Sequence, residues 1–345
     1  MQAFWQALPK PFFVLAPLAG VTDPAFRRLI ARYGKPHAMW TEFTSADGLC
    51  APGRDRLLRG LAYAEIERPI VAQLFGAKPD TMERAAALAT ELGFDGIDIN
   101  MGCPDRNVEK RGAGAALCRQ PALAQAMIRA AKRGAGRVPV SAKIRLGYDR
   151  NELATWLPAL LEAEPVAVTI HARTRQEMSL VPAHWDAISQ AVHIRNRLGA
   201  PAYVVGNGDA TDLADARRKA LATGADGVML GRAIFGNPWL FDERRTLADV
   251  TPAEKLHVLL EHTRLFDAML GDIKSLDTMK KHYKAYLKGF DGAKALFLQL
   301  MEARDVNEVE TRVRACAILR KSPSAATGPP PGRTARPAAP RPAGP

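Results

Sequence analysis

The sequence predicts an α/β protein: a (β/α)8 barrel, followed by a small all-helical domain and a disordered tail rich in Pro and Arg. Three observations predict this. Short β-like runs alternate with amphipathic helical runs eight times. Polar or Gly-rich segments follow nearly every β-like run. After Trp239 the alternation stops and only helical patterns remain.

Strict alternation of strands and helices requires a parallel sheet with right-handed crossovers. Eight repeats fit a closed barrel better than an open doubly wound sheet, which usually has fewer strands and one Gly-rich turn near its start. The predicted strands are Val14–Ala19, Ala38–Phe43, Ile70–Phe75, Gly96–Asn100, Val140–Arg145, Ala167–His171, Ala202–Gly206 and Gly227–Gly231.

Helix signals separate these strands. Thr81–Leu92 has apolar residues at helical spacing and a Gly directly after it, Pro121–Arg133 has Pro at its first turn, and Leu213–Ala222 is closed by Gly224. We therefore expect residues 1–240 to form the barrel domain.

The second domain is predicted over residues 241–320. Thr251 and Glu254 have the spacing of a capping box, so a helix should run from there to about Gly271. Residues 321–345 are Pro, Ala and Gly with scattered Arg, and we expect them to be disordered because they cannot bury enough apolar surface. The further predicted helices are Ser275–Phe290, Gly292–Arg304 and Val306–Leu319.

Composition limits the function classes. Hydrophobic residues make up 47% of the 345 residues, and the longest apolar runs are far shorter than the roughly 18 residues of a membrane span. The first ten residues lack a signal-peptide pattern, so we expect a cytoplasmic protein with no membrane partner. The four cysteines form no C-x-x-C pair and no His lies nearby at ligand spacing, which predicts neither a metal site nor a disulfide framework.

The net charge of +12 favours a polyanionic partner, and nucleic acid is the usual one. Arg320–Pro345 contributes five basic and no acidic residues, which leaves a net charge of +7 for the rest of the chain.

Chemistry is expected at the carboxyl ends of the strands, which converge on one face of a barrel. Lys143 lies inside an apolar strand. A buried cation without a partner costs free energy, so this lysine either meets a ligand in the barrel or points its side chain outward to solvent. His171 ends the sixth strand, and a lone His there is often structural. Together these two residues suggest an anionic or electron-rich ligand in the barrel mouth.

Two further strand ends carry functional signals. The turns Gly206–Gly208 and Gly231-Arg232 follow strands seven and eight, where barrels often bind phosphate, although each alone also fits a plain turn. Cys103 stands between Gly and Pro just past strand four. In this position its thiol could act as a nucleophile or as an acid, or the residue could simply be buried in the loop. The other cysteines, Cys50, Cys118 and Cys316, have no such setting.

Eight motifs stand in a fixed order along the chain: Ala16–Asp23, Gln73–Gly76, Asn100–Pro104 with Val108, Gly112–Leu117, Lys143–Arg145, His171–Thr174, Gly206–Asp209 and Gly231–Ala233. Their order and spacing resemble those of the tRNA-dihydrouridine synthases, and the Asn-x-Gly-Cys-Pro element is the most specific. The resemblance covers roughly residues 12–240, and the helices up to Leu319 are similar to that family's tRNA-binding domain.

The resemblance implies flavin mononucleotide (FMN) in the barrel mouth and NADPH or NADH as reductant. Hydride would pass to C6 of a tRNA uridine while Cys103 protonates C5. Asn100 and Arg173 would lie on the substrate side. Lys281, Lys284 and Lys288 would contact tRNA phosphates from one helical face, which otherwise fits a solvated surface. The residues implied to hold FMN are Pro17, Leu18, Ala19, Gln73, Lys143, His171, Asn207, Gly208, Asp209, Gly231 and Arg232.

Some positions depart from the family pattern. Leu18 stands where Met is common, and the loop from Gln176 to Trp185 lacks the family's usual aromatic and Gly residues. That loop borders the substrate side, so the departure bears on RNA specificity more than on flavin binding. We expect a monomer that does not bind DNA.

Three alternatives stay open on the sequence. One is another FMN barrel oxidoreductase that acts on a small molecule, such as a dihydroorotate dehydrogenase. Another is an RNA-binding protein without redox chemistry. The last is a Schiff-base aldolase that uses Lys143.

Overall fold

The computed structural model of the protein describes residues 3–316 and residue 318. Eight parallel strands form a barrel, which closes because the first strand pairs with both the second and the eighth. A two-residue strand, Thr44–Ser45, pairs with the barrel strand Ile70–Phe75. The barrel strands are β1 (Phe12–Leu15), β2 (Ala38–Trp40), β3 (Ile70–Phe75), β4 (Gly96–Met101), β5 (Val140–Arg145), β6 (Ala167–His171), β7 (Tyr203–Asn207) and β8 (Gly227–Leu230).

The predicted (β/α)8 barrel is confirmed, and β3, β5 and β6 have the predicted bounds. The first two strands were predicted wrongly at their carboxyl ends, since β1 ends at Leu15 rather than Ala19 and β2 at Trp40 rather than Phe43. After β1 the chain stays apolar over residues 16–19, which line a cavity. After β2 the next two residues, Thr41 and Glu42, are polar, and Phe43 lines the same cavity.

Ten helices of seven or more residues lie in the described part of the chain, and α1 to α6 alternate with barrel strands. The structure confirms helices at the three predicted segments between strands, and Gly224 closes α6 with a positive φ of 71°. The helices are α1 (Pro24–Tyr33), α2 (Pro79–Glu91), α3 (Pro121–Ala135), α4 (Leu153–Leu161), α5 (Asp186–Arg197), α6 (Leu213–Thr223), α7 (Pro252–Leu270), α8 (Lys280–Tyr286), α9 (Ala293–Met301) and α10 (Val306–Arg314).

The predicted capping box at the start of α7 is present. The Glu254 N–H donates to Thr251 Oγ1 at 3.2 Å, and the Thr251 N–H donates to Glu254 Oε2 at 2.8 Å. Helix α7 packs against α1, where the rings of Phe26 and His262 stack with centroids 4.7 Å apart. The helical segment is therefore seated on the barrel through an aromatic contact.

The predicted helix Ser275–Phe290 is wrong in extent. Leu276–Met279 forms a 3-10 turn, α8 covers only Lys280–Tyr286, and Leu287 leaves the helical region with ψ of 65°. Lys288 therefore does not lie on a helix with Lys281 and Lys284. Of the predicted helix 306–319, α10 accounts for Val306–Arg314, and the predicted disordered tail 321–345 lies outside the described residues. The domain division near residue 240 stays a prediction.

The amino-terminal end of the barrel is closed by aromatic side chains. Trp5, from the short helix Ala3–Ala7, is 1% exposed. Its ring stacks on Tyr203 with centroids 5.6 Å apart and meets Phe12 and Trp40 edge-on. No helix within the described residues is both long enough and apolar enough to span a membrane.

Candidate active site

A cavity of about 350 Å³ opens at the carboxyl ends of the barrel strands. Four further lining residues had no predicted role: Phe43, Arg145 from the Lys143–Arg145 motif, and Met178 and Ser179 from the loop that departs from the family pattern. Gln73 and the three lysines of the helical segment do not line it. The predicted residues that do are Pro17, Leu18, Ala19, Asn100, Cys103, Lys143, His171, Arg173, Asn207, Gly208, Asp209, Gly231 and Arg232.

Lys143 points into the barrel mouth, not outward. Its Nζ donates to Asn207 Oδ1 at 3.1 Å, and Asn207 Nδ2 donates to the carbonyl of Met229 at 2.8 Å, which fixes the orientation of the amide. Burial and the neighbouring Arg145 lower the pKa of Lys143 to about 8. The ammonium is therefore mostly charged at neutral pH, with a proton that leaves more readily than from an exposed lysine.

His171 is held neutral beside Arg173. Burial and the cations Lys143 and Arg145 lower the pKa of His171 well below its ordinary value. Arg173 Nη1 lies 3.2 Å from His171 Nε2. Because a guanidinium can only donate, Nε2 accepts this hydrogen bond and the imidazole proton is on Nδ1.

Asp209 links two arginines at the mouth. Arg173 and Arg232 both donate to its carboxylate, and the Ala183 N–H donates to Oδ2 at 3.0 Å. Partial burial alone would raise the pKa of Asp209. The hydrogen bonds from the Ala183 N–H and Arg173 outweigh this effect and hold that pKa below its usual range. The side chain of Arg232 is 62% exposed, so its guanidinium is oriented and still accessible to an anion.

Gly208 has to be glycine in this arrangement. Its φ is +131°, and a Cβ there would lie 2.9 Å from the Cβ of Ala183 and 3.3 Å from Cδ2 of His171. Trp185 Nε1 donates to its carbonyl at 2.9 Å and so fixes the turn. The backbone between Asn207 and Asp209 thus borders the cavity without a side chain in the way.

Cys103 lies on the cavity wall, 9% exposed. Burial raises the pKa of its thiol above the ordinary value, so the sulfur keeps its proton at neutral pH. Its loop is held by Asn100, whose Oδ1 accepts from the N–H groups of Gly102 at 3.1 Å and Cys103 at 2.9 Å. The result is a protonated thiol on a fixed backbone.

Arg145 ties the Cys103 loop to the loop after β6. Its guanidinium donates only to carbonyls: Gly102 at 2.8 Å, Thr174 at 2.9 Å and Met178 at 3.1 Å. Among the described residues it forms no ion pair, and burial lowers its pKa to about 10. Arg145 was predicted to lie with Lys143 at the end of the fifth strand but was assigned no role, although strand alternation puts both on one face.

Gln73 and Asn100 are engaged with neighbouring residues. Gln73 is fully buried below the cavity wall, and its Oε1 accepts from Asn100 Nδ2 at 3.0 Å. The implied contact of Gln73 with a flavin ring and that of Asn100 with a uracil both stay predictions.

The three predicted lysines differ in position. Lys281 reaches the rim of the barrel, because a Cβ on Gly20 would lie 2.9 Å from its Nζ. Glu42 lies at the same rim, where it accepts from the Gly20 N–H and from Lys274 Nζ. Lys284 and Lys288 are exposed, and neither forms an ion pair within the described part of the chain.

Fold and site together define a (β/α)8-barrel protein with a ligand cavity at the catalytic end of that architecture. The cavity combines two kinds of group: cations that can meet an anion and a protonated thiol that can give up a proton. No cluster of three or more His, Cys, Asp or Glu side chains suited to a metal ion occurs in the residues that the structure describes.

The sequence comparisons identify the family. The model of the dihydrouridine synthase family matches residues 14–322. A probable tRNA-dihydrouridine synthase 2 of Bacillus subtilis is 40% identical over 309 residues, which are 89% of this chain and 94% of that protein. A probable tRNA-dihydrouridine synthase of Staphylococcus aureus is 38% identical over 88% of this chain and 93% of its own length. The chain belongs to the dihydrouridine synthase family.

Solved structures support the fold alone. A histamine dehydrogenase from a Rhizobium species matches with a TM-score of 0.51 at 14% identity, over 73% of this chain and 48% of that one. A mutant of morphinone reductase in complex with tetrahydroNAD matches with a TM-score of 0.50 at 12% identity, over 67% and 85% of the two chains.

Proposed function

We propose that this protein is an FMN-dependent tRNA-dihydrouridine synthase that reduces one uridine of tRNA to 5,6-dihydrouridine, with NADPH or NADH as reductant. The observation that carries this proposal is the protonated thiol of Cys103 on the wall of a cation-rich cavity. The match of residues 14–322 to the dihydrouridine synthase family supports it. With tRNA as substrate, the protein would act in the cytoplasm.

The residues present fit FMN. Arg232 and the backbone at Gly208 and Gly231 form a cradle for the phosphate. There is room beside the backbone of Gly231, since the nearest atom to a Cβ placed there would be that of Ala16, 3.6 Å away. Lys143 and Asn207 offer polar groups to an electron-rich ring, while Pro17, Leu18 and Ala19 provide an apolar wall. When bound, FMN supplies the hydride that C6 of the uracil accepts.

Cys103 is the proposed acid for C5. Its raised pKa keeps the proton in place until carbanion character develops at C5, and the proton then leaves Sγ to form the new C–H bond. The thiolate that results is attracted by Arg145 and Lys143, whose charges interact with this sulfur. Solvent then returns the proton to Sγ before the next turnover.

Arg173 and His171 have a positioning part in this proposal. Arg173 is 2% exposed and fixed by Val181 O, His171 and Asp209, so it gives the cavity a rigid edge on the substrate side. Neutral His171 adds no charge beside Lys143. In this proposal Arg173 restricts where a uracil can lie, and His171 lies beside the flavin.

The uracil has to leave its stack to enter the cavity, which costs a few kcal/mol, so the enzyme needs further contacts with the tRNA. Lys281 at the rim, together with exposed Lys284 and Lys288, supplies positive charge for phosphates. In this proposal residues 1–240 carry the chemistry and residues 241–320 bind tRNA.

The test is a nucleoside analysis. Purified protein is incubated with FMN, NADPH and tRNA from cells that lack dihydrouridine, and the digested tRNA is analysed by mass spectrometry. We expect one uridine position to gain two hydrogens, and Cys103→Ala protein to give little or none. Flavin binding and NADPH oxidation without any dihydrouridine would favour a small-molecule oxidoreductase instead.

A further inference from the structure

A buried carboxylate lies one layer below the cavity and has no part in the proposed chemistry. Asp98 belongs to β4, two residues before Asn100, so both side chains face the barrel interior. Its exposure is 0%, and it accepts from Gln73 Nε2 at 2.7 Å and from Ser141 Oγ at 2.6 Å. The strand register places Gln73 and Ser141 beside it, on β3 and β5.

A continuous chain of hydrogen bonds leads from this carboxylate to the Cys103 loop. Gln73 donates to Asp98 and accepts from Asn100 Nδ2 at 3.0 Å. Asn100 Oδ1 in turn accepts from the N–H groups of Gly102 and Cys103. Three side chains thus connect the interior of the barrel with the backbone of the thiol.

The two ends of this chain fix its direction. An ionised carboxylate only accepts hydrogen bonds and a backbone N–H only donates them. Gln73 therefore has to turn its NH₂ towards Asp98 and its oxygen towards Asn100, and Asn100 has to turn its oxygen towards Cys103. Reversing either amide would put two donors or two acceptors face to face in a buried site, which is costly.

We propose that Asp98 is a positioning residue, which acts through the amides of Gln73 and Asn100 to hold the backbone of Cys103 in place for proton transfer. The proposal rests on the function proposed above for Cys103. It gives Gln73 and Asn100 a task that needs no direct contact with a ligand. It also explains why a polar layer is retained inside a barrel whose other interior residues are mostly apolar.

The charge of Asp98 and its hydrogen bond have separable effects. Burial raises the pKa of Asp98 to about 6, while the bonds from Gln73 and Ser141 oppose that rise, so the group is largely ionised at neutral pH. Its charge also raises the pKa of nearby Lys143. A test must therefore remove the hydrogen-bond acceptor in one variant and only the charge in another.

Asp98→Leu and Asp98→Asn form such a pair. Leucine has a similar size and no acceptor, whereas the oxygen of asparagine can still accept from Gln73 while its NH₂ donates to Ser141 Oγ. Both variants lose the charge, so any effect that passes through Lys143 is common to them. A difference between the two variants isolates the hydrogen bond.

The first readout does not depend on turnover. Cys103 is alkylated with iodoacetamide in the FMN-loaded protein across a pH series, and the modified peptide is measured by mass spectrometry. We expect Asp98→Leu to change the alkylation rate at least about fivefold, because the loop loses its support, and Asp98→Asn to stay within about twofold of the parent. Equal rates in all three proteins would overturn the proposal.

The second readout separates the two half-reactions. We expect Asp98→Leu to slow reoxidation of the reduced protein by tRNA about tenfold or more and to leave its reduction by NADPH within about twofold. An Asp98→Asn protein as slow as Asp98→Leu would mean that the charge matters and not the hydrogen bond, which contradicts the proposal. If Asp98→Leu does not fold, Gln73→Met breaks the same chain and the same alkylation result is expected.

The alkylation result also distinguishes this inference from the proposed function. If Cys103→Ala still makes dihydrouridine, the assignment of the acid fails, although a changed Cys103 reactivity in Asp98→Leu would still support the hydrogen-bond chain. If Cys103→Ala is inactive and the reactivity of Cys103 in Asp98→Leu is unchanged, only the positioning proposal fails.

Discussion

The two ends of the barrel are built from the same eight strands and differ in almost every other respect. At the amino-terminal end, Trp5 packs among Phe12, Trp40 and Tyr203 and excludes water. At the carboxyl end, half-buried Lys143 and buried Arg145 donate to amide and carbonyl oxygens, and within the described residues neither forms an ion pair with a carboxylate. Apolar burial at the amino-terminal end stabilises the folded protein, whereas desolvation of charge at the carboxyl end destabilises it.

This difference separates stability from chemistry along the barrel axis. Substitutions at the closed end should change the free energy of unfolding and leave the half-reactions alone, whereas those at the cavity should do the opposite. Each experiment below tests one side of this division.

The largest effect is expected at the thiol. Cys103→Ala removes the proposed acid, so reoxidation of the reduced protein by tRNA should fall about 10²–10⁴-fold, the usual contribution of a positioned acid. Stopped-flow absorbance measures this rate, and the melting temperature should hardly change. Cys50→Ala is the matched control, since Cys50 is a half-buried thiol that does not line the cavity. Similar rates for both variants would remove Cys103 from the mechanism.

At the closed end we expect the opposite result: a loss of stability with unchanged reaction rates. Trp5→Ala empties the centre of the aromatic cluster and should lower the free energy of unfolding by about 3–5 kcal/mol, as measured by denaturant titration. Reduction and reoxidation rates at a temperature where the variant is folded should match those of the parent. A large loss of rate in the folded variant would contradict the separation of the two ends.

Buried histidines predict a pH dependence of stability away from the cavity. His262 and His282 pack with ring centroids 4.6 Å apart, and burial, with Lys281, lowers the pKa of His282 to about 3. The unfolded chain binds protons near pH 6.5 that the folded protein does not, so this contribution to stability is full above that pH and falls as the pH drops.

Melting temperatures at about pH 7.5 and pH 5 measure this effect. His282→Phe should reduce the loss on acidification relative to the parent. His257→Phe, an exposed position on the same helix as His262, should leave the pH dependence unchanged. The same pH dependence in all three proteins would show that the histidine pair does not titrate in this way.

The smallest effect is expected at the lysines that the proposal assigns to tRNA phosphates. Lys281→Glu, at the barrel rim, should weaken tRNA binding more than Lys288→Glu, which lies beyond the end of α8. The salt dependence of tRNA affinity should decrease in Lys281→Glu, because fewer counterions are released on binding. Equal affinities for the two variants at several salt concentrations would exclude a special position for Lys281.

Sequence patterns predicted the strands of the barrel more accurately than the loops around the cavity. Strands such as Ile70–Phe75 and Val140–Arg145 were predicted to the residue, because their apolar runs are bounded by clear signals. The run after Leu15 was assigned to β1 in error, since a residue that lines a cavity is as apolar as one in a core. Positions in the loops around the cavity depend on contacts between distant segments, which a sequence pattern does not contain.

The roles of Asp98 and Arg145 were not predicted for the same reason. Asp98 was missed and Arg145 was named only as part of a motif, although alternation in the predicted strands puts them on the faces of Asn100 and Lys143. Their importance follows from the partners they meet, Gln73 on β3 for Asp98 and Thr174 after β6 for Arg145. The helix predicted for Ser275–Phe290 begins late, at Lys280, and ends early, at Tyr286, although its apolar spacing continues.

The most direct test is the visible absorption spectrum of the purified protein, recorded anaerobically before and after NADPH and again after addition of tRNA that lacks dihydrouridine. The account predicts a flavin spectrum that bleaches with NADPH and returns when the tRNA is added. A protein loaded with FMN whose bleached spectrum does not return with that tRNA would contradict it.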